Sequence, residues 1–471
     1  MNVEQIYTGC LAEAAYYIQS NGEAAVIDPL RETTPYLVRA ANDHAKIKYI
    51  FLTHFHADFV SGHVDLARKT GATIVFGPNA VAGFDFHSAK DGEEFKVGDY
   101  TIKLIHTPGH TMESSSYVLM DENGKEKYVC TGDALFIGDV GRPDLAVKSD
   151  MTQEDLAGHL FDSLRNKLMK LPDDIIIYPN HGAGSACGKN MSEDTFDTLG
   201  HQKETNYALR ADMTKEEFIK EVLTGLVEPP QYFPKAVMMN KGINTSYEDI
   251  IAHGLQPHDV AEFESLMQNE AGVVVLDTRH EQTFKDGFIP GSYNFNIDDN
   301  FAPWVGALIE NNTSPILFVA DAGREEEVVT RLSRVGYDNT IGYLKGGIDA
   351  WKEAGKPMDS IVSIDPDELK VKMLGKINIV DVRKASEFYS EHLDTDMVVN
   401  RPLDFIHENL DEYDKDQEYY MHCVGGYRSM IAASILKANG FDKVIDINGG
   451  FDKMKEDGLK MTEYVCPTTL L

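Results

Sequence analysis

No stretch of this 471-residue chain is apolar for long enough to span a bilayer as a helix. Its first residues, Met1 to Leu11, lack a basic segment followed by an apolar core, so no secretory signal is expected there. Cysteine is scarce: Cys10, Cys130, Cys187, Cys423 and Cys466 are all there is. An odd number with these spacings makes neither a disulfide framework nor a zinc knuckle, so any functional cysteine is expected to be a reactive thiol. A reducing cytoplasm is the compartment that fits. Positive charge is scarce too: 44 Lys and Arg against 76 Asp and Glu leave a net charge of -32. Nucleic acid and membrane surfaces are therefore not expected as partners, because both call for a cationic face.

What is present is a soluble, globular composition in a chain long enough for two to four domains. The first half carries strand-like runs at Ala24 to Ile27, Tyr49 to Leu52, Thr73 to Phe76, Thr101 to Ile105, Tyr128 to Cys130 and Ile175 to Tyr178. Several end directly in polar clusters that hold most of the histidines, as when a rigid scaffold presents a site on its loops. Met213 to His258 reads as more helical, an end to the first domain and a connector. The second half is an internal repeat. Asp277, Arg279, Arg324 and Gly336 recur 104 residues later as Asp381, Arg383, Arg428 and Gly440, and Gly346-Gly347 recurs as Gly449-Gly450 after a one-residue slip. Each copy alternates strands and helices, which predicts a small α/β domain with a mainly parallel sheet. Three domains are expected, at 1–244, 245–358 and 359–471, with Lys356 to Ile364 joining the last two.

The chemistry-bearing residues of the first half are Thr53-His54-Phe55-His56-Ala57-Asp58-Phe59, Thr107-Pro108-Gly109-His110, Thr131-Gly132-Asp133 and Tyr178-Pro179-Asn180-His181. Imidazoles and carboxylates converging at strand ends make a transition-metal site. Two sets of ligands compete for one ion. His54, His56 and His110 would suit zinc hydrolysis, whereas His54, His110 and Asp133 form the two-histidine, one-carboxylate set of non-heme Fe(II) oxygenases. Spacing alone does not choose.

This order of motifs resembles the metallo-β-lactamase fold superfamily over about residues 1–240, which implies an αββα sandwich with metal at one edge. Most hydrolases of that superfamily hold two metals and read His-x-His-x-Asp-His; here Phe59 stands in the last position and cannot coordinate. The chain more closely resembles the persulfide dioxygenases, especially those fused to rhodanese domains. That resemblance implies one Fe(II) per chain on His54, His110 and Asp133, with His56, Asp58 and His181 orienting ligands or meeting substrate. It implies that Arg142 grips a carboxylate of a glutathione-type substrate, a task suited to a guanidinium. Cys187, in a Gly-rich loop just beyond His181, is a candidate to receive or relay sulfur near the iron, or else a small packed residue.

In the last domain, Cys423-Val-Gly425-Gly426-Tyr427-Arg428-Ser429 places a thiol at a strand end, then a Gly-rich curl, then a helix start. Loop amides, the helix N-terminus and the Arg428 charge favour a thiolate there, and Gly425, Gly426, Tyr427 and Ser429 are candidate substrate contacts. The pattern resembles rhodanese sulfurtransferases; cysteine phosphatases use a loop one residue longer. At the same offset the first copy has Val319, which cannot carry a persulfide, so 245–358 is expected to be catalytically silent. Together the resemblances imply a bifunctional sulfur-detoxifying enzyme. It would oxidise a low-molecular-weight thiol persulfide (glutathione or coenzyme A type) with O2 to sulfite and thiol, and make or use thiosulfate at Cys423. A homo-oligomer is a family-level expectation. A glyoxalase II-like zinc thioester hydrolase fused to a sulfurtransferase is the alternative.

Overall fold

A computed structural model describes residues 2–146, 151–242 and 244–466; the expected domain ends at residue 1 and at 467–471 lie outside them. By internal contact the chain divides into two units, Met1–Tyr247 with Ser333–Gly336, and Glu248–Leu332 with Tyr337–Leu471.

The first unit holds two six-stranded sheets. One runs Asn2–Thr8, Glu13–Ser20, Glu23–Ile27, Lys46–Phe51, Thr73–Phe76, His87–Ser88. The other runs Asp197–Thr198, Ile176–Pro179, Glu126–Gly132, Ser115–Met120, Tyr100–His106, Glu94–Val97. Strand periodicity explains the layers, since neighbouring side chains face opposite ways. Ala14, Tyr16 and Ile18 meet Tyr117, Leu119 and Cys130 in a core between the sheets. Their sequence neighbours Ala15 and Tyr17 turn outward against Tyr36, Ala40 and Leu66 of the helices Thr34–Asn42 and His63–Thr70. On the far side Val118 and Val129 meet Ala157, Leu160 and Leu164 of the helix Gln153–Asn166, and Phe218 of Lys215–Leu223. The result is the expected αββα sandwich.

The second unit contains two five-stranded sheets of the same strand order, parallel throughout. Each copy braces the end of the strand second from one sheet edge, Val274–Asp277 or Asn378–Asp381, in the same way. The Arg279 guanidinium grips Asp277 at 2.6 and 2.8 Å, while Arg383 grips Asp381 at 2.6 and 3.0 Å. The Asn294 amide donates to the carbonyls of Asp277 and Arg279, and Asn400 does the same for Asp381 and Arg383. Among the described residues no helix is long and apolar enough to cross a membrane.

Candidate metal centre and cysteine loop

The strand Lys46–Phe51 ends at Thr53-His54, and Glu126–Gly132 delivers Asp133 beside it. Gly132 makes the approach possible: it sits at φ 55°, and a Cβ there would lie 2.7 Å from the Thr53 side chain. His110 follows Gly109, where a Cβ would lie 2.4 Å from Leu160 of the packed helix.

Hydrogen bonds fix the imidazole tautomers. Thr53 Oγ1 donates to Asp28 at 2.8 Å, so it accepts from His54 Nδ1–H at 3.0 Å. His110 Nδ1–H donates to the Arg142 carbonyl at 2.8 Å, and His181 Nδ1–H donates to the Ala12 carbonyl at 3.1 Å. Each ring is left with its Nε2 lone pair facing inward, the form a metal binds. Burial, with His56, His110 and His181 nearby, holds His54 well below the usual histidine range and therefore neutral.

Two groups of donors result. His54, His110 and Asp133 have ligand atoms within 4.8 Å of one another, as do Asp58, His181 and Cys187. Asp133 lies between them: Oδ2 is 3.8 Å from His54 Nε2 and 3.5 Å from His110 Nε2, and Oδ1 is 3.5 Å from His181 Nε2. Both Asp133 oxygens, Asp58 Oδ1 and His181 Nε2 are buried without a hydrogen-bond partner. Such groups are costly unless a cation takes up their charge, so the residues fit a metal ion.

His56 stands apart from both groups. Its Nε2 is 2.9 Å from Asp28 Oδ1. Burial would lower its pKa, but the Asp28 charge and hydrogen bond, with Asp58 and Asp133, leave it raised. The Phe59 ring lies 4.3 Å from the His56 ring, fully buried. Of the two sets left open by the sequence, His54, His110 and Asp133 have donor atoms within 4.8 Å of one another, while His56 keeps a buried, unpartnered Nδ1.

Asp28 is the residue the sequence reading missed. It accepts from the Thr53 amide, Thr53 Oγ1, the Asn180 amide and His56, all at 2.8 to 2.9 Å. It also holds a left-handed backbone, φ 49°. Its one sequence signal is an acidic residue directly after the strand Glu23–Ile27.

Cys187 is buried beside this cluster; burial, then Asp58 and Asp133, push its thiol well above the usual range. Arg142 is placed differently from a free substrate grip. Its guanidinium is bidentate to Asp144 at 2.6 and 2.8 Å and donates to the carbonyls of Val227 and Ala186. Its amide donates to the Cys187 carbonyl, so Arg142 ties the His110 and Cys187 loops together.

In the second unit the strand Tyr419–His422 ends at Cys423, which is buried. The Gly426 amide donates to Cys423 Sγ at 3.2 Å, with Gly426 at φ 120°. Gly450 comes so close beneath that a Cβ would lie 2.5 Å from the Val424 carbonyl. Gly425 is exposed, and the partly buried Tyr427 opens the helix Tyr427–Ala438 with its hydroxyl unpartnered. Arg428 is bidentate to Glu387 at 2.7 and 2.8 Å. Ser429, a candidate substrate contact, is instead fully buried; its hydroxyl meets Asp446 and the Gly426 carbonyl, because this position of the first helical turn faces the sheet. In the first copy Glu325 Oε2 accepts from the Gly323 amide at 2.9 Å, and Arg324 is spent on Asp298 and Glu327. Where the Gly426 amide meets Cys423 in one copy, the other has Ala322 and Val319, and its carboxylate takes up the next amide along.

Comparison with known proteins agrees with this division. Residues 8–181 match the metallo-beta-lactamase superfamily, and 259–354 and 365–457 each match a rhodanese-like domain. A probable hydroxyacylglutathione hydrolase of Schizosaccharomyces pombe is 32% identical over 197 residues, 41% of this chain and 72% of its own length. A solved metallo-beta-lactamase from Staphylococcus aureus subsp. aureus COL is 29% identical with TM-score 0.64, covering 73% of this chain and 98% of that one. The structure of ETHE1 from Myxococcus xanthus is 28% identical with TM-score 0.44, covering 51% and 98%. The chain belongs to the metallo-beta-lactamase superfamily, with two rhodanese-like domains following the lactamase fold and a metal centre at its sheet edge.

Proposed function

We propose that the chain oxidises a low-molecular-weight thiol persulfide at a single Fe(II) and handles sulfane sulfur at Cys423. The observation that carries this is the two-histidine, one-carboxylate group His54, His110 and Asp133. The rhodanese-like domains in the same chain, one with a cysteine loop, support sulfur as the common currency. When bound, Fe(II) supplies electrons and open coordination positions for O2 and a substrate sulfur. The chain's residues do the rest. Thr53 and the Arg142 carbonyl hold the two rings, and Asp133 offers both oxygens. Asp58 and His181, 3.4 Å apart, can hold the protons released. The balance is persulfide, O2 and water giving thiol, sulfite and two protons. Cys187, next to Asp58 and Asp133, receives or relays sulfur, while Cys423 makes or consumes thiosulfate.

A second reading has an observation of its own. Asp58, His181 and Cys187 form a second donor group, and a hydroxyacylglutathione hydrolase is among the relatives, which together suit a two-zinc thioester hydrolase. Oxygen-electrode measurements on iron-loaded protein separate the two. The first reading expects one O2 consumed per glutathione or coenzyme A persulfide, and loss of uptake in His110→Ala. It is wrong if no persulfide drives uptake while S-lactoylglutathione is hydrolysed.

A further inference from the structure

Beneath the cysteine loop lies a buried carboxylate that the sulfur chemistry above does not use. Asp446 sits on the strand Val444–Ile447, paired with Met421 of the strand that leads into Cys423, and is fully buried. Its Oδ1 is 2.8 Å from Ser429 Oγ and its Oδ2 is 3.0 Å from Ser363 Oγ. Ser429 Oγ is also 3.0 Å from the Gly426 carbonyl, and the Gly426 amide points at Cys423 Sγ from 3.2 Å. A continuous path of hydrogen-bonding atoms thus runs from Asp446 through Ser429 and Gly426 to the sulfur.

The repeat supplies an internal control. Features present in both copies, the Asp–Arg grip and the bracing asparagine, belong to the fold. Counting back from the shared glycine pair, Asp446 corresponds to Tyr343, and at the 104 offset Ser429 corresponds to Glu325 and Cys423 to Val319. The carboxylate and the serine are absent from the copy that has no cysteine. A device needed only to build the sheet would have stayed in both.

We propose that Asp446 is a positioning residue for Cys423, acting through the Ser429 hydroxyl to set the Gly426 turn whose amide meets the sulfur. The proposal rests on the sulfurtransferase reading of Cys423 for its purpose, though not for its geometry. Ser429 has one proton to give. With Asp446 ionised, that proton goes to the carboxylate. When Asp446 takes up a proton, it donates to Ser429, and the serine proton passes to the Gly426 carbonyl. Burial pushes Asp446 up to about 6; hydrogen bonds from Ser429 and Ser363 pull against this. The charged groups facing it are Glu281 and Lys285 of the first copy, the former raising and the latter lowering it. The exchange therefore falls in mildly acidic solution.

The test is the alkylation rate of Cys423 in the full chain from pH 5 to 8, followed peptide by peptide by mass spectrometry, with sulfur loading from thiosulfate read on the same samples. Losing a hydrogen bond to an ionised group is expected to slow Asp446→Asn about ten-fold at pH 7.5. The ratio of wild type to variant should collapse towards one at pH 5, where both side chains are neutral. The ratio of wild type to Ser429→Ala should also change between pH 5 and 7.5, since that variant lacks the hydroxyl that senses Asp446, and Ser429→Thr should restore the wild-type profile, so the test survives if Asp446→Asn does not fold. A ratio of one throughout, or a ratio that does not change with pH, overturns the proposal. Normal sulfur loading with a flat ratio would leave the sulfurtransferase reading intact. The expected ratios without any sulfur loading would sink that reading and keep the positioning role.

Discussion

Asp28 shows how much of a site one residue can organise without touching a ligand. It fixes Thr53, which fixes His54, and it holds the His56 ring through Nε2. Removing such a partner typically weakens metal binding about 10- to 100-fold. Asp28→Asn should show that loss in a chelator competition, and unchanged affinity would contradict the role. The ligand candidates themselves were legible in the sequence, because His-x-His-x-Asp and Gly-Asp sit at strand ends where loops carry chemistry. Asp28 and the roles of Asn180 and Arg142 were not, because each reaches partners far along the chain, Asn180 meeting Asp28 across 152 residues and Arg142 the Val227 carbonyl across 85. In the silent copy Val319→Cys alone should not load sulfur from thiosulfate, since Ala322 stands where Gly426 makes its positive-φ turn and Arg324 is held by Asp298 and Glu327. Loading by that single variant would show the copy to be only one residue from activity.

The helix Gln153–Asn166 is the element on which the metal loop leans. Its Ser163 hydroxyl donates to the Pro108 carbonyl at 2.7 Å, and Leu160 closes over Gly109. A capping box starts it, with Thr152 accepting from the Asp155 amide and Asp155 returning to the Thr152 amide. Thr152→Ala should cost about 0.5–2 kcal/mol in urea unfolding with little change in metal content. Leu160→Ala should cost about 2–5 kcal/mol and loosen the His110 loop as well. Equal metal affinity in the two variants would argue against that coupling. At this scale the sequence was uneven. Runs such as Thr73–Phe76 stood out, but Glu13–Ser20 did not. Nearly all of its residues are buried, because the strand lies between a helix layer and a second sheet, and a strand covered on both faces shows no alternation.

For the molecule as a whole, the repeat made the two small parallel sheets legible, since a shared offset between Asp-x-Arg, Arg and Gly positions needs no structure to be seen. The sandwich was legible only through its resemblance, because its layers depend on which side of each strand meets a helix. The account rests on a single ion held by His54, His110 and Asp133, and metal analysis of protein purified without oxygen tests it most directly. One iron per chain, lost in Asp133→Asn, is the predicted result. Two zinc ions per chain, with Asp58, His181 and Cys187 holding the second, would contradict it.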